Sequence, residues 1–366
     1  MRNDQQMYIS TPIMSRLCAS ELEKSSLDSL PVTGLSQKTG MGFQLGELRG
    51  QNKIMVVTAF LFPGQGSQVV GMASKIAQNS KIAKDILSEI DDALGFKLST
   101  LMAEGPSEDL QLTQNAQPAL FASSICTLHV LQNQTGKTIS ELCSFVAGHS
   151  LGEYSALCAV GSLKISETAR LLHLRGQSMQ QAVPVGEGAM AALIGADLAI
   201  AEEIASASAD AGLVQIANDN ADGQIVLSGT SAGIFKAMEV AKDKGLRRVV
   251  KLPVSAPFHC QMMAPAADVM AKALANIDFQ NAEVPVVQNV TVQPEISAYI
   301  LRENLVSQVT GRVRWRETMS FFNQAEVTDF VELGTGKVLS GLAKRAAPDA
   351  RIYTLDTFDD ILGYLR

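Results

Sequence analysis

The sequence predicts an α/β protein with a mostly parallel sheet, a sharp strand-to-helix turn that carries a serine, and a small inserted subdomain. Three observations support this fold class. Short apolar runs at 56–62, 143–148 and 329–333 lead into glycine-containing turns, as strands buried in parallel sheets do. The second run leads into Gly-His-Ser-Leu-Gly at 148–152, followed by a helical pattern. Residues 189–252 show a β-α-β-β-α-β order.

The first 54 residues differ in composition from the rest of the chain. They mix Ser, Gln, Thr and Gly with scattered charges, and they show neither helical nor strand periodicity. The acids Asp4, Glu21, Glu23 and Asp28 argue against an acid-poor transit peptide, and no apolar core suggests a secretory signal. We therefore expect residues 1–54 to form a disordered N-terminal extension. A translation start at Met55 and a docking role for the extension both stay open.

The folded part begins with a strand at 56–62 and the loop Pro-Gly-Gln-Gly-Ser-Gln at 63–68. This loop is not a dinucleotide-binding fingerprint, because Val69 stands where the third glycine belongs. Helical periodicity dominates from 70 to 142, including a helix that begins at Thr113 and ends near 131, and it returns at 169–180. The inserted subdomain is predicted from strands at 189–194, 214–217, 224–228 and 246–252, and helices at 199–211 and 231–244. A helix from about 264 and strands at 284–288 and 329–333 complete the pattern.

Composition and charge exclude several classes of function. A hydrophobic content of 46% with 18% charged residues is typical of a globular protein. The formal net charge of −7 provides no basic field for nucleic acid or an anionic membrane surface, and no apolar run reaches the roughly 18 residues that span a bilayer. The five cysteines lack metal-ligand or disulfide spacing, so we expect reduced thiols, no metal site and a cytoplasmic location.

Ser150, at the centre of the Gly-His-Ser-Leu-Gly run, is the candidate nucleophile. A nucleophile elbow exposes the serine hydroxyl at a helix N-terminus, where backbone N–H groups favour a developing oxyanion; an ordinary strand-to-helix turn is the alternative. Four histidines could serve as the base. His129 and His173 lie in helical patterns, and His149 points away from its neighbour on a tight turn. Elimination therefore favours His259, which follows a strand and a proline in a loop.

Six short motifs occur in a fixed order along residues 55–366. They are Phe-Pro-Gly-Gln-Gly-Ser-Gln at 62–68, Gln-Pro-Ala at 117–119, Gly-His-Ser-Leu-Gly-Glu-Tyr at 148–154, Arg-Gly at 175–176, Pro-Phe-His-Cys at 257–260 and Gly-Thr-Gly-Lys-Val-Leu at 334–339. In this order, and with similar spacings, they resemble the motifs of malonyl-CoA:acyl carrier protein transacylases. The resemblance implies an α/β-hydrolase-like catalytic domain at 55–185 and 254–366, with a ferredoxin-like subdomain at 186–253.

The resemblance also implies roles for individual residues. Ser150 would carry malonyl as an ester, and His259 would act as its base. The backbone N–H groups of Gln65 and Leu151 would form the oxyanion hole. Arg175 would bind the free malonyl carboxylate, for which the planar fork of a guanidinium is well suited. A favourable charge near the end of a helix is the structural alternative for this arginine.

The same resemblance implies roles for four further residues. Gln117 would line the substrate pocket, and Phe258 would crowd a 2-methyl branch on the acyl group. The backbone carbonyl of Gln308 would orient the catalytic histidine, so that no triad aspartate is needed. Asn220 would lie near the channel for CoA or pantetheine, although Asp222 replaces the proline common in that motif.

The resemblance implies that malonyl passes from malonyl-CoA to the phosphopantetheine thiol of acyl carrier protein in fatty acid biosynthesis, through a malonyl-serine intermediate. We expect no permanently bound cofactor, no nucleic-acid or membrane partner, and a monomer. A trans-acting acyltransferase of polyketide synthesis, a serine thioesterase or hydrolase, and an inactive carrier-binding homologue are the alternatives. Docking of an acidic carrier requires a local basic patch. Two basic clusters are candidates, Arg247, Arg248 and Lys251, and Arg312, Arg314 and Arg316. The alternative for each cluster is an ordinary solvated face.

Overall fold

The computed structural model describes residues 56–254 and 256–366, so the predicted extension at 1–54 lies outside the described residues. In chain order the strands are β1 (Thr58–Phe62), β2 (Phe145–Gly148), β3 (Gly188–Ile194), β4 (Val214–Ala221), β5 (Gln224–Thr230), β6 (Arg248–Lys251), β7 (Val286–Val287), β8 (Pro294–Glu295), β9 (Asp329–Leu333) and β10 (Arg351–Leu355). The helices are α1 (Ser74–Asn79), α2 (Lys81–Leu94), α3 (Leu98–Glu104), α4 (Ser107–Gln111), α5 (Thr113–Thr135), α6 (Ile139–Leu142), α7 (Gly152–Ala159), α8 (Ile165–Gln181), α9 (Leu198–Ala207), α10 (Ser231–Asp243), α11 (Ala264–Ala275), α12 (Ala298–Thr310), α13 (Trp315–Gln324), α14 (Val338–Ala346) and α15 (Phe358–Tyr364).

The larger sheet has the strand order β10-β9-β1-β2-β7-β8, and its neighbouring strands are parallel except for the β7–β8 pair. β1 lies between β9 and β2, and Phe62 at the end of β1 pairs with Gly148 at the end of β2. The loops after these two strands therefore leave the same edge of the sheet side by side. In open α/β sheets, ligands bind at the carboxyl ends of the strands.

Both faces of this sheet are covered, which explains why its strands read as continuous apolar runs. Phe60 and Phe62 of β1 pack into a core shared with α2, α5, α7 and α8. The alternate residues Ala59 and Leu61 pack on the opposite side, against a cluster that includes Trp315 of α13. In the described ranges, no helix combines the length and the apolar character needed to cross a bilayer.

The smaller sheet is antiparallel, with the strand order β4-β5-β3-β6, and its elements follow the predicted β-α-β-β-α-β order. The predicted end of β4 at 217 is wrong, because pairing with β5 continues to Ala221 through two register shifts. Asn218, Asp219 and Asn220 occupy this extension, and Asn and Asp are poor strand formers, so the sequence pattern ends too early there. β4 also ties the smaller sheet to the larger body, since the Asp219 N–H donates to the carbonyl of Val313 at 2.9 Å.

Other predicted bounds were wrong at element ends, where fraying and capping decide the last residue. α5 extends to Thr135 rather than 131 and ends at Gly136, whose φ of 66° suits a left-handed cap. α9 ends at Ala207 rather than 211, and β7 is reduced to two residues. β1 begins at Thr58 rather than 56, and β6 spans 248–251 rather than 246–252.

Candidate active site

Ser150 lies in the turn between β2 and α7, with a φ of 54° that non-glycine residues rarely adopt. The glycines on each side make this turn possible. A Cβ atom on Gly148 would lie 1.9 Å from the carbonyl carbon of Gly152, and one on Gly152 would lie 2.2 Å from the carbonyl oxygen of Phe62. The elbow therefore depends on direct backbone contact among β1, β2 and α7, and it holds a serine in a strained conformation.

His259 contacts the serine directly, with 2.7 Å between its Nε2 and the Oγ of Ser150. Its Nδ1 lies 3.0 Å from the carbonyl oxygen of Gln308 and 3.1 Å from that of Gly311. Both carbonyls can only accept, so Nδ1 carries the proton and Nε2 is free to accept the serine proton. Within the described residues no Asp or Glu bonds to this imidazole, and backbone carbonyls take the position of a triad carboxylate.

Electrostatics keep this imidazole neutral. Burial lowers the pKa of His259, the charge of Arg175 lowers it further, and the result is about 3 in spite of the hydrogen bonds from Nδ1. A neutral imidazole is the form that can accept a proton from serine. The imidazole can therefore accept a proton across the neutral pH range.

Arg175 is buried on α8, with 1% of its surface exposed, and among the described residues its guanidinium donates hydrogen bonds only to neutral oxygens. Nη1 donates to Oε1 of Gln117 at 2.8 Å, and Nη2 donates to Oε1 of Gln308 at 3.0 Å and to Oγ of Ser150 at 3.3 Å. Its Nε–H has no hydrogen-bond partner within the described residues, and the guanidinium lies 5.6 Å from the ring centroid of Tyr154. Burial lowers the pKa of the group, so this desolvated cation favours an anionic ligand beside the serine.

Two backbone N–H groups near the serine are unoccupied. Leu151 caps the N-terminus of α7, and Gln65 lies in the loop after β1. Neither N–H makes a hydrogen bond within the described residues. The glycine before Gln65 is required by space, because a Cβ atom on Gly64 would lie 2.7 Å from the carbonyl oxygen of His149. This close approach brings the β1 loop against the elbow.

A cavity of about 360 Å³ opens at the serine, and seven of the nine predicted site residues line it; Leu151 and Gln308 do not. Its polar lining includes Gln65, Gln117, His149, Ser150, Arg175, Asn220 and His259, and its apolar lining includes Met179, Met190, Val226, Leu252, Val254 and Phe258. Asn220 is 2.8 Å from Nε2 of His149, which explains why His149 does not face the serine. Gln308 lies behind the cavity, fully buried, where its side chain also donates to the carbonyl of Ser150 at 2.9 Å.

Three residues that contact this site were missed in the sequence analysis. Met179 follows Arg175 by four positions on α8, and Tyr154 follows Ser150 by four, so helical spacing could have indicated both. Asn289 bonds to the elbow from the loop after β7. No local pattern indicates this third contact, because it joins segments 139 residues apart.

Comparison with known proteins gives a consistent result. The model of the acyl transferase domain family matches residues 59–340. A malonyl CoA-acyl carrier protein transacylase of Bacillus subtilis is 43% identical over 302 residues, covering 82% of this chain and 93% of the relative. The crystal structure of an acyl-carrier-protein-S-malonyltransferase from Bartonella henselae superposes with a TM-score of 0.83 at 49% identity, covering 85% of this chain and 99% of that chain. A malonyl-transacylase solved in complex with a type II PKS acyl-carrier protein gives a TM-score of 0.81 at 38% identity, covering 84% of this chain and 99% of that chain.

Proposed function

The chain belongs to the malonyl CoA-acyl carrier protein transacylases of the acyl transferase family, and we propose that Ser150, His259 and Arg175 carry out its reaction. The protein is an acyltransferase that moves the malonyl group of malonyl-CoA to acyl carrier protein in fatty acid synthesis. One observation supports the assignment most strongly. The Oγ of Ser150 lies 2.7 Å from Nε2 of His259 and 3.3 Å from Nη2 of Arg175, so base and cation meet at one hydroxyl.

In the first half-reaction, the Oγ of Ser150 attacks the thioester carbonyl of malonyl-CoA while its proton passes to Nε2 of His259. The carbonyl oxygen becomes an oxyanion and accepts hydrogen bonds from the free N–H groups of Gln65 and Leu151. When the tetrahedral intermediate collapses, the carbon–sulfur bond breaks and the imidazolium returns its proton to the CoA thiolate. Malonyl then remains as an ester on the serine.

In the second half-reaction, the phosphopantetheine thiol of the carrier protein takes the place of CoA. Its proton passes to Nε2 of His259 as sulfur attacks the ester, and the same proton returns to Oγ of Ser150 when the ester bond breaks. The Gln308 and Gly311 carbonyls stabilise the imidazolium that forms in each half, because both accept from Nδ1. The low pKa of His259 makes this cation a strong acid, which favours rapid return of the proton.

Selectivity follows from the position of Arg175. A malonyl carboxylate can replace the neutral amide oxygens that now accept from the Nη atoms of Arg175. A bidentate pair between a guanidinium and a carboxylate is stronger than hydrogen bonds from the guanidinium to neutral oxygens. Gln117 orients the guanidinium and contacts the substrate pocket. Phe258, 9% exposed in the cavity lining, would crowd a 2-methyl branch, although one methyl group discriminates by only about 1–3 kcal/mol.

Mass spectrometry after mixing the protein with malonyl-CoA tests the proposal. We expect a malonyl adduct on Ser150 that is absent in Ser150→Ala and present in Ser144→Ala, a control serine exposed just before β2. An unchanged mass of the wild-type protein, or an adduct that survives in Ser150→Ala, would refute the assignment of the nucleophile.

The finer description of the fold is part of the same proposal. We describe residues 55–185 and 254–366 as an α/β-hydrolase-like domain, and residues 186–253 as a ferredoxin-like subdomain. The serine turn between β2 and α7 supports the first description. The strand order β4-β5-β3-β6, with α9 and α10 packed in one cluster on that sheet, supports the second. A cytoplasmic location is supported by the four described cysteines, which are free thiols.

One of the two basic clusters is a better candidate for carrier docking. Arg312 and Arg314 both pair with Glu317, and Arg316 forms a bidentate pair with Asp219. Each of those three charges is therefore already paired with a neighbouring carboxylate. The other cluster keeps its charges exposed, since Arg247, Arg248 and Lys251 make no ion pair within the described residues and lie beside the exposed side chains of Val250 and Phe235. We propose that this second cluster contacts the acidic carrier.

A polyketide carrier is the second candidate partner, because one structural relative is a malonyl-transacylase solved with a type II PKS acyl-carrier protein. Transfer rates to purified carriers of both kinds from the source organism distinguish the two. A thioesterase or hydrolase would instead release malonate. Slow loss of the serine ester in water, with fast loss on addition of carrier protein, is the result that we expect.

A further inference from the structure

Asn289 lies in the loop after β7 and is fully buried against the nucleophile elbow. Its carboxamide bonds to the backbone on both sides of His149. Oδ1 accepts from the N–H of Ser150 at 2.8 Å, and Nδ2 donates to the carbonyl of Gly148 at 2.7 Å. One side chain therefore fixes the two peptide groups whose orientation determines where the serine hydroxyl points.

Asn289 is itself held by its own backbone. Its N–H donates to Oε2 of Glu153 at 2.7 Å, and its carbonyl accepts from the N–H of Arg314 at 3.1 Å. Glu153 is also fully buried and accepts from Nε2 of the neighbouring Gln288 at 3.2 Å. Glu153 lies in the first turn of α7, directly after the elbow. The chain therefore runs from the elbow to Glu153, Glu153 bonds the backbone of Asn289, and the side chain of Asn289 bonds the elbow again, which closes a ring of contacts.

We propose that Asn289, anchored by Glu153, is a positioning residue that holds Ser150 in its reactive conformation. The proposal rests on the assignment of Ser150 as nucleophile. The left-handed backbone of this serine is strained, and such conformations persist only where surrounding contacts fix them. The carboxamide supplies two of those contacts. The next peptide group, which carries the Leu151 N–H, is held separately, because its carbonyl, that of Ser150, accepts from Nε2 of Gln308 at 2.9 Å.

The first test is single-turnover acylation by malonyl-CoA, followed by quenching and mass spectrometry. Asn289→Ala removes both bonds to the elbow but leaves Arg175 and the cavity lining in place. We expect the maximal acylation rate to fall about 100-fold, as small misplacements of reacting groups do. The malonyl-CoA concentration that gives half of that rate should stay unchanged, because the groups that bind substrate are intact. A loss of binding with an unchanged maximal rate would overturn the proposal.

Asn304→Ala is the matched control. Asn304 lies on α12 and donates to Oε1 of Gln288 at 2.7 Å, so its loss disturbs the same loop without touching the elbow. We expect a lower melting temperature in both variants but slow acylation only in Asn289→Ala. An equal loss of acylation rate in the two variants would show that Asn289 only stabilises the loop and does not position Ser150.

The second test is Asn289→Asp, which keeps the shape of the side chain. Its protonated carboxyl can accept from the Ser150 N–H and donate to the Gly148 carbonyl, as the carboxamide does, whereas its carboxylate repels that carbonyl. The titratable side chains near this position are Glu153 on α7, His149 in the elbow and Arg314 before α13. We expect the acylation rate, divided by that of the wild type, to rise as pH falls from about 8 to about 5.

The outcomes distinguish failure of the proposed nucleophile from failure of the positioning role of Asn289. If the wild type forms no adduct on Ser150, the proposed function fails and the variants are not needed. If the wild type forms the adduct and Asn289→Ala acylates as fast, only the positioning role fails. A ratio for Asn289→Asp that does not change with pH overturns the role even if Asn289→Ala does not fold.

Discussion

Replacement of Arg175 by alanine should separate malonyl transfer from acetyl transfer. The guanidinium is 1% exposed, and its Nη2 is 3.3 Å from the Oγ of Ser150, so a carboxylate bound to it lies within the length of one malonyl group of the nucleophile. Acetyl-CoA presents the same thioester without that carboxylate. The change therefore removes an interaction that only one of the two substrates makes.

The expected loss follows from the hydrogen bonds involved. A hydrogen bond to a charged group is worth about 1.5–3 kcal/mol, so a bidentate pair is worth about 3–6 kcal/mol. This corresponds to a fall of about 10²- to 10⁴-fold in kcat/KM for malonyl-CoA. The acetyl reaction should lose about tenfold or less, because it loses only the long contact of 3.3 Å between Nη2 and Oγ.

The assay is single-turnover acylation with each thioester, read as the mass of the serine adduct. The acetyl reaction serves as the internal control for general damage, since misfolding lowers both rates together. Arg170→Ala, an exposed arginine on the same helix α8, controls for loss of a positive charge there and should leave both rates unchanged. Equal losses for malonyl and acetyl in Arg175→Ala would refute the reasoning and make this arginine structural.

Three further predictions follow from charges and burial. Because the pKa of His259 is lowered to about 3, kcat/KM for acylation should not fall near pH 6.5, where protonation of an ordinary histidine would lower it. Arg175→Gln removes the neighbouring cation, so the pH at which kcat/KM falls on the acid side should be higher in this variant. A fall near pH 6.5 in the wild type would contradict the prediction. Burial raises the pKa of Glu153 from 4.5 to about 7, so the folded state holds this proton to a higher pH than the unfolded chain does. The free energy of unfolding should therefore fall by about 3 kcal/mol as pH rises from about 4.5 to about 7. Glu153→Gln lacks this loss and should gain on the wild type over that range in urea titrations; parallel pH dependences would refute it. Arg248→Glu should lower kcat/KM for carrier protein at low salt without changing the rate of acylation by malonyl-CoA. The control Lys84→Glu, at an exposed position on α2, should change neither quantity. An unchanged transfer rate in Arg248→Glu would exclude this cluster as the docking site.

The local parts of the site could be predicted from the sequence. Gly148, Ser150 and Gly152 lie within five consecutive residues, and the sterics of one turn determine their arrangement. Two of the four histidines lie in helical patterns, so elimination could favour His259. The imidazole lies 2.7 Å from the serine, which supports the pair. Elements between these points were predicted in type and order, but their ends shifted where polar residues such as Asn218 continue a strand.

Long-range contacts decided the rest. The sequence indicated Gln308 only through its backbone, yet its side chain bonds both Arg175 and the Ser150 carbonyl. Arg316 read as a free surface charge, and the structure pairs it with a buried aspartate on β4. Such pairs depend on how strands register and how helices pack, and hydrophobic periodicity reports only which face of one element is buried.

The sequence by itself determined the fold class, the glycine-flanked serine turn and a net charge of −7, which provides no basic field for nucleic acid. Periodicity, glycine sterics and composition are properties of short segments, so they are readable without coordinates. Only the tertiary structure decided that Asn289 bonds the elbow, that the Gly311 carbonyl joins that of Gln308 on His259, and that no carboxylate pairs with Arg175 in the part of the chain that the structure describes. Each of these contacts closes a long loop in the chain, and its geometry exists only once the whole core has packed.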